Sequence, residues 1–354
     1  MLRAGETTTI TASRQGIVYI ATFNAPTGGE MVVDLVSGGR VMPRFIAGEH
    51  ASAQWREMLS AYSSAPYAEI VGRRMMVTTT YAQARLHVDD ANALMTVWDE
   101  IVRLEGLQYG IVEGNAFPHA PDPHRYHFVE LPPYTGWMYA WQYRMAAATA
   151  ATKSILNSVA LRNDGWGPWH ELGHHHQQRS ITWDDQTEVT VNLSSAYVQR
   201  AFGRPSRFEN DGYYEAAFAY LNQSTRDFAQ QRDPFVRAIM FWQLDLAFGA
   251  DFYAKLGRNI RNVPTSSRPY SSDERTQFFV LEASRVAGYD LVPFFERWGV
   301  PVRAATRTAI TGLRLRALTV PIWLNRDTNV RYRLSSATET PMGAIGAIKL
   351  STGA

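Results

Sequence analysis

The sequence predicts an α+β fold: a small β-sandwich at the N-terminus, then a mainly helical domain that carries a small sheet. Three observations lead there. Short β-rich runs broken by turn residues fill the first stretch, apolar residues recur with helical period from about residue 90 to 310, and Leu318 to Ala354 returns to strand-like alternation with few acidic residues. The 354 residues correspond to about two domains at roughly 150 residues each. Boundaries are expected between a β-rich region at 1–45, a main domain at 46–315 and a β-like closing segment at 316–354.

In chain order, Thr7 to Thr11, Gly16 to Ala21 and Met31 to Val36 are rich in Thr, Val and Ile. The breaks between them, Asn24 to Gly29 and Ser37 to Gly39, hold turn chemistry. A helix is expected over Ala51 to Ala61, a strand over Arg74 to Tyr81, and a helix over Val88 to Glu105 with Asp89 and Asp90 placed to cap it. Helical periodicity is clearest at Gln186 to Ala201, Pro234 to Gly249, Asp251 to Asn259 and Asp273 to Ala287. No repeat of fixed period interrupts the pattern.

Composition removes several function classes. Lys plus Arg exceed Asp plus Glu by 35 − 33 = 2, and the basic residues are scattered, so no electrostatic footprint for nucleic acid is present. The absence of cysteine excludes a disulfide scaffold, a thiolate metal site and a cysteine nucleophile. No run approaches the roughly eighteen apolar residues of a membrane span, and Met1 to Ile10 lacks the apolar stretch of a secretory signal. The strand-like start and the closing tail are expected of a piece cut from a longer secreted precursor.

The chemistry concentrates in one place. Four of the nine histidines fall between His170 and His176. His170 and His174 are four apart, so on a helix both project from one face and converge on a single ion. Glu171 follows the first by about 100° of rotation, which sets its carboxylate beside the ion as a base for water. Catalytic zinc takes three protein ligands, and His175 and His176 point to other faces. Glu188, fourteen residues after His174 and one turn inside the next helix, is the candidate third ligand. Asp184 and Asp185 compete for that role, although carboxylates at a helix mouth are more often caps.

These residues resemble the enhancin-like zinc metallopeptidases, a family of the gluzincin group that includes mucin-degrading enzymes. Gly165-Trp166-Gly167-Pro168-Trp169-His170-Glu171-Leu172-Gly173-His174 with Gln177 is similar to the family's glycine/tryptophan lead-in and HExGHxxQ core. Trp183 with Glu188 to Leu193 is similar to its third-ligand helix. The likeness extends over roughly residues 40 to 310, through Val97 to Val102, Gly136 to Ala140, Phe241 to Leu244 and Phe294 to Val300. The pair His175-His176 departs from the pattern and offers an added weak metal contact.

The resemblance implies a gluzincin-type catalytic domain at 46–315 that uses Zn²⁺ held by His170, His174 and Glu188, with Glu171 as general base. It further implies an endopeptidase acting on mucin-type O-glycosylated proteins, with Trp137, Tyr139, Trp166 and Trp183 as substrate-binding candidates and an edge near Tyr134 to Gln142 receiving the substrate backbone. The alternatives are a general zinc endopeptidase and a catalytically silent glycan-binding module. By default those tryptophans, and Trp141, are core or cleft wall, and His50, His87, His119, His124 and His127 are structural or surface residues. Tyr270 is a candidate donor to the developing oxyanion.

Overall fold

A six-stranded mixed sheet anchors the first half of the computed structural model, which describes residues 7–9, 11, 16–20, 32, 34, 37–131, 136–142 and 144–336. Its strands are β1 (Arg44–Ile46), β2 (Tyr67–Val71), β3 (Met75–Thr80), β4 (Tyr126–Glu130), β5 (Met138–Trp141) and β6 (Arg144–Ala147), in the spatial order β1-β2-β3-β4-β6-β5. The pairs β2–β3 and β5–β6 are antiparallel and the others parallel. One face is apolar because alternate residues point the same way: Ala68 and Ile70, Met75 and Val77, Phe128, Met145 and Ala147 all enter one buried cluster.

Five helices cover or flank that face: α1 (Ser52–Ala61), α2 (Tyr81–His87), α3 (Ala91–Gln108), α4 (Lys153–Leu156) and α5 (Ser158–Asp164). In α3 the spacing Leu94, Trp98, Ile101, Glu105 is that of one helical face, and all four are buried. Each large apolar side chain so buried contributes about 1.5–3 kcal/mol. Asp90 caps α3 by accepting from Ala93 N at 2.9 Å. Its neighbour Asp89 does something else, accepting from Ser158 N at 3.0 Å and Ser158 Oγ at 2.6 Å, so it ties the start of α5 to α3.

Beyond α6 (Trp166–His174) the chain is helical: α7 (Thr187–Thr190), α8 (Asn192–Ala201), α9 (Arg207–Asn210), α10 (Tyr213–Leu221), α11 (Pro234–Phe248), α12 (Phe252–Asn262), α13 (Ser272–Ala287), α14 (Val292–Arg297) and α15 (Ala304–Gly312). Helix α11 is buried all round from Val236 to Phe248 and forms the axis of a second hydrophobic core. The two cores meet at α6. Trp166 packs in the helical core, whereas Trp169 and Leu172 pack in the sheet core.

Two expectations change. The N-terminal sandwich is absent among the described residues: 7–9, 11, 16–20, 32, 34 and 37–43 belong to no strand, and the expected turn Asn24 to Gly29 lies outside them. β-branched composition fits a pleated surface without supplying a backbone partner. Tyr19 instead meets the sheet through its side chain, donating to Glu69 Oε2 at 2.6 Å. At the other end, Arg316–Ala317 (β8) pairs in parallel with Tyr289–Asp290 (β7), and the chain to residue 336 straps the helical core. Leu318, Val320, Trp323, Tyr332 and Leu334 pack there, and Asp327 accepts from Trp242 Nε1 at 2.8 Å and Ser206 Oγ at 2.6 Å. The described part of 316–354 is thus continuous with the main domain, and 337–354 lie outside the described residues.

Candidate metal centre

Helix α6 begins at Trp166 and ends at His174, so its last turns carry His170, Glu171 and His174. Gly173 lies where α6 approaches α8 most closely, since a Cβ there would meet Ser194 Cβ and Oγ at 2.8 Å and Val191 Cγ2 at 3.0 Å. This contact brings α7, one turn long, alongside the two histidines. Glu188 Oε2 lies 3.0 Å from His170 Nε2, and Glu188 Oε1 lies 3.6 Å from His174 Nε2. The two imidazoles are perpendicular, 84° apart with centroids 4.9 Å from each other. One ligand atom from each of His170, His174 and Glu188 falls within 4.8 Å of the others, a group able to hold a metal ion.

Amide side chains fix both rings. His170 Nδ1 meets Asn192 Oδ1 at 3.2 Å, while Asn192 Nδ2 donates to Glu188 O at 2.8 Å. His174 Nδ1 meets Gln177 Oε1 at 2.9 Å, while Gln177 Nε2 donates to Thr187 O at 2.7 Å and Thr190 Oγ1 at 2.8 Å. Because each amide nitrogen is committed to a carbonyl of α7, each amide oxygen must face its histidine. Both imidazoles then carry a proton at Nδ1 and turn Nε2 toward Glu188. Gln177 and Asn192 lie inside the motifs read from the sequence, where neither carries an expected role. Their offsets, three after His174 and four after Glu188, are the helical spacings that mark them.

The electrostatics fit a cation. Burial pulls the His170 imidazole down, but the bond from Glu188 and the charges of Glu171 and Glu188 outweigh it and hold it above its usual value. The bond from His170 keeps Glu188 low, and burial keeps His174 low. His170 Nε2 and Glu188 Oε2, 3.0 Å apart, are the atoms between which the charge of a bound cation would fall. Glu171 is 7% exposed, and its carboxyl is pushed up to about 7 by burial, pulled back by His170 and raised further by Glu188.

The other sequence candidates separate. Asp184 is exposed and its N donates to Ser272 Oγ at 2.9 Å, Asp185 adopts φ 62°, and neither joins the ligand group. Neither caps α7, whose N-cap is Gln186 without a side-chain cap. His175 and His176 also stay out of the group; His176 is buried against Tyr126 and Tyr109. Trp166 and Trp183 are core residues, packed on Phe235 and Phe208 and on Phe241 and Phe279 respectively, so neither ring offers an open face to a sugar. Trp137 is 59% exposed, and Tyr139 on β5 accepts from Arg144 at 2.9 Å. Met138 lies over the start of α6, 3.1 Å from where a Gly167 Cβ would be, so β5 flanks the ligand helix. Tyr134 lies outside the described residues, and Tyr270 is 82% exposed. No helix among the described residues is long and apolar enough to cross a membrane.

Comparison with known proteins gives concordant findings. Residues 38–299 match the model of the family described as peptidase M60, enhancin and enhancin-like. A TRPM8 channel-associated factor homolog of Xenopus laevis is 26% identical over 317 residues, covering 87% of this chain and 33% of that protein. The chain therefore spans about a third of the length of the curated relatives it matches. A crystal structure of a functionally unknown conserved protein from Bacillus anthracis str. Ames superposes with TM-score 0.82 at 38% identity, over 86% of this chain and 63% of that one. The M60 catalytic domain of Clostridium perfringens ZmpC, solved in complex with the sialyl T antigen, superposes with TM-score 0.70 at 19% identity, over 85% of this chain and 61% of that one.

Proposed function

The chain belongs to the peptidase M60, enhancin and enhancin-like family, and from that premise we propose that it is a zinc-dependent endopeptidase for mucin-type O-glycosylated proteins, acting outside a bacterial cell. The observation that carries the reading is the convergence of His170, His174 and Glu188 beside the buried Glu171. His170, His174 and Glu188, two imidazoles and one carboxylate, would hold the zinc, a donor set of the kind catalytic zinc sites use. When bound, zinc supplies Lewis acidity toward a carbonyl and acidifies water.

The chain's own residues do the rest. Glu171 takes a proton from the attacking water and returns it to the leaving amine as the C–N bond breaks; burial suits it to both roles by bringing its pKa near neutrality. Asn192 and Gln177 hold the two histidines so that their Nε2 atoms need little rearrangement. Strand β5 is the sheet edge beside α6, and an extended substrate would add to it as a strand, with Trp137 and Tyr139 close by.

The glycan requirement is supported by the ZmpC domain, which was solved with a glycan antigen. A second reading, a general endopeptidase, is favoured by the burial of Trp166 and Trp183, which removes two of the four aromatic candidates from the open surface. One experiment tests both. A mucin-like glycoprotein is incubated with the protein before and after deglycosylation, with and without a chelator. Cleavage of the glycosylated form alone, abolished by chelation, is the expected result. Equal cleavage of both forms selects the general endopeptidase, and no cleavage of either overturns the peptidase reading.

A further inference from the structure

Glu105, on the buried face of α3, is an acid that the chemistry above does not use. It has no solvent exposure, and neither carboxylate oxygen has an aligned hydrogen-bond partner. The polar atom facing it is His176 Nδ1, 3.2 Å from Oε2. Both side chains are buried, so two polar groups face each other out of reach of water. Stability alone gives no reason for such a pair, because apolar side chains of the same shape would avoid the desolvation cost.

His176 is gripped from three directions. Its ring stacks on Tyr109, just past the end of α3, with centroids 5.6 Å apart and planes at 16°. Tyr126 on β4 meets Nε2 at 3.2 Å, and Nδ1 meets Leu172 O of α6 at 3.3 Å. With Nδ1 bonded to Leu172 O, His176 leaves Nε2 for the Tyr126 hydroxyl, and the Glu105 carboxyl lies against the Nδ1 side of the ring. The next residue is Gln177, whose Oε1 takes the Nδ1 proton of His174. Backbone N–H groups of both His176 and Gln177 close on Gly173 O, at 3.0 and 3.2 Å, so the position of one sets the position of the other.

We propose that Glu105, Tyr126 and His176 form a buried anchor that aims His174 at the metal through Gln177, making them positioning residues of the metal centre. The proposal rests on the metallopeptidase reading of the triad. It assigns a reason to the second half of the His175-His176 pair: the residue fastens the end of the ligand helix to α3 and β4.

The test measures zinc affinity, by competition with a chromophoric chelator, and the thermal stability of the metal-free protein. Glu105→Leu is expected to leave metal-free stability unchanged or raised while lowering zinc affinity about tenfold. Glu105→Gln keeps the shape and a polar group against His176 and should bind zinc as the parent does. Tyr126→Phe removes one hydroxyl and should weaken zinc binding without unfolding the chain, which keeps the question decidable if the leucine variant does not fold. Parent-like zinc affinity in Tyr126→Phe and in any folded Glu105→Leu overturns the proposal, as does a glutamine variant as weak as the leucine one. A parent protein that binds no zinc fails at an earlier step, overturning the metallopeptidase reading and the anchor with it.

Discussion

Asn192 holds His170 from behind: its Oδ1 lies 3.2 Å from His170 Nδ1, and its Nδ2 donates to the carbonyl of Glu188, the proposed third ligand, at 2.8 Å. The same oxygen takes the indole N–H of Trp166 at 3.2 Å, so one amide joins the start of the ligand helix to both ligand-bearing elements. Asn192→Leu should therefore lower zinc affinity about 10–100-fold. Asn192→Asp keeps the acceptor for His170 but loses the donor to Glu188 O, and its loss should be smaller. Competition titration measures both, and a leucine variant with parent affinity would remove Asn192 from the site.

Glu171→Gln should retain zinc and fold while turnover falls by about 10²–10⁴, the usual contribution of a positioned general base. The side chain lies outside the ligand group, so metal content by elemental analysis should match the parent. Loss of zinc in this variant would make Glu171 a ligand and defeat its assignment as base.

Glu188→Gln keeps the shape of the third ligand and removes the charge that offsets the cation, so zinc affinity should drop at least about tenfold. Asp184→Asn should change it little, because Asp184 is exposed and its nearest cation, Arg275, is 3.9 Å away. The reverse ranking in a side-by-side titration would reassign the third ligand.

Acid should weaken the cap of α3. Asp90 is held below the usual carboxylate range, chiefly by accepting from Ala93 N, and the Ser52 hydroxyl adds to this. The folded state thus favours the ionised form. Its contribution is full above the unfolded value of about 3.9 and is lost as pH falls through the lower folded value. Asp90→Ala should cost about 1 kcal/mol at neutral pH and progressively less toward roughly pH 3. Urea unfolding of the metal-free parent and variant at the two pH values checks this, and a pH-independent difference would contradict it.

The grouping of His170, His174 and Glu188 was legible because it is written in residue types at fixed helical offsets, and Asp184 and Asp185 could be set apart from it only once α7 was seen to place Glu188 beside the two histidines. Most of the sheet was not legible. β1 is three residues, Arg44–Ile46, and β6 reads Arg-Met-Ala-Ala, so neither declares itself by propensity. β1 exists through its parallel partner β2, and β6 through pairing on both sides, parallel with β4 and antiparallel with β5. Thr7 to Thr11 errs in the other direction, with strand-like composition and no strand among its described residues. Trp166 and Trp183 show a third gap: a tryptophan's place in a cleft wall or a core depends on what packs across it, which no local pattern records.

The splitting of α6 between two cores has a thermodynamic consequence. Trp166 is rooted in the helical half, while Trp169 and Leu172 are rooted in the sheet half, so a load on either half is transmitted along the helix that bears the ligands. An ion held by His170, His174 and Glu188 would tie that junction together, and at a free concentration a thousandfold above Kd it would add about 4 kcal/mol to the folded state. Melting should then be a single event for both halves in the loaded protein. Stripping the ion removes that tie, and the two halves become free to melt at different temperatures.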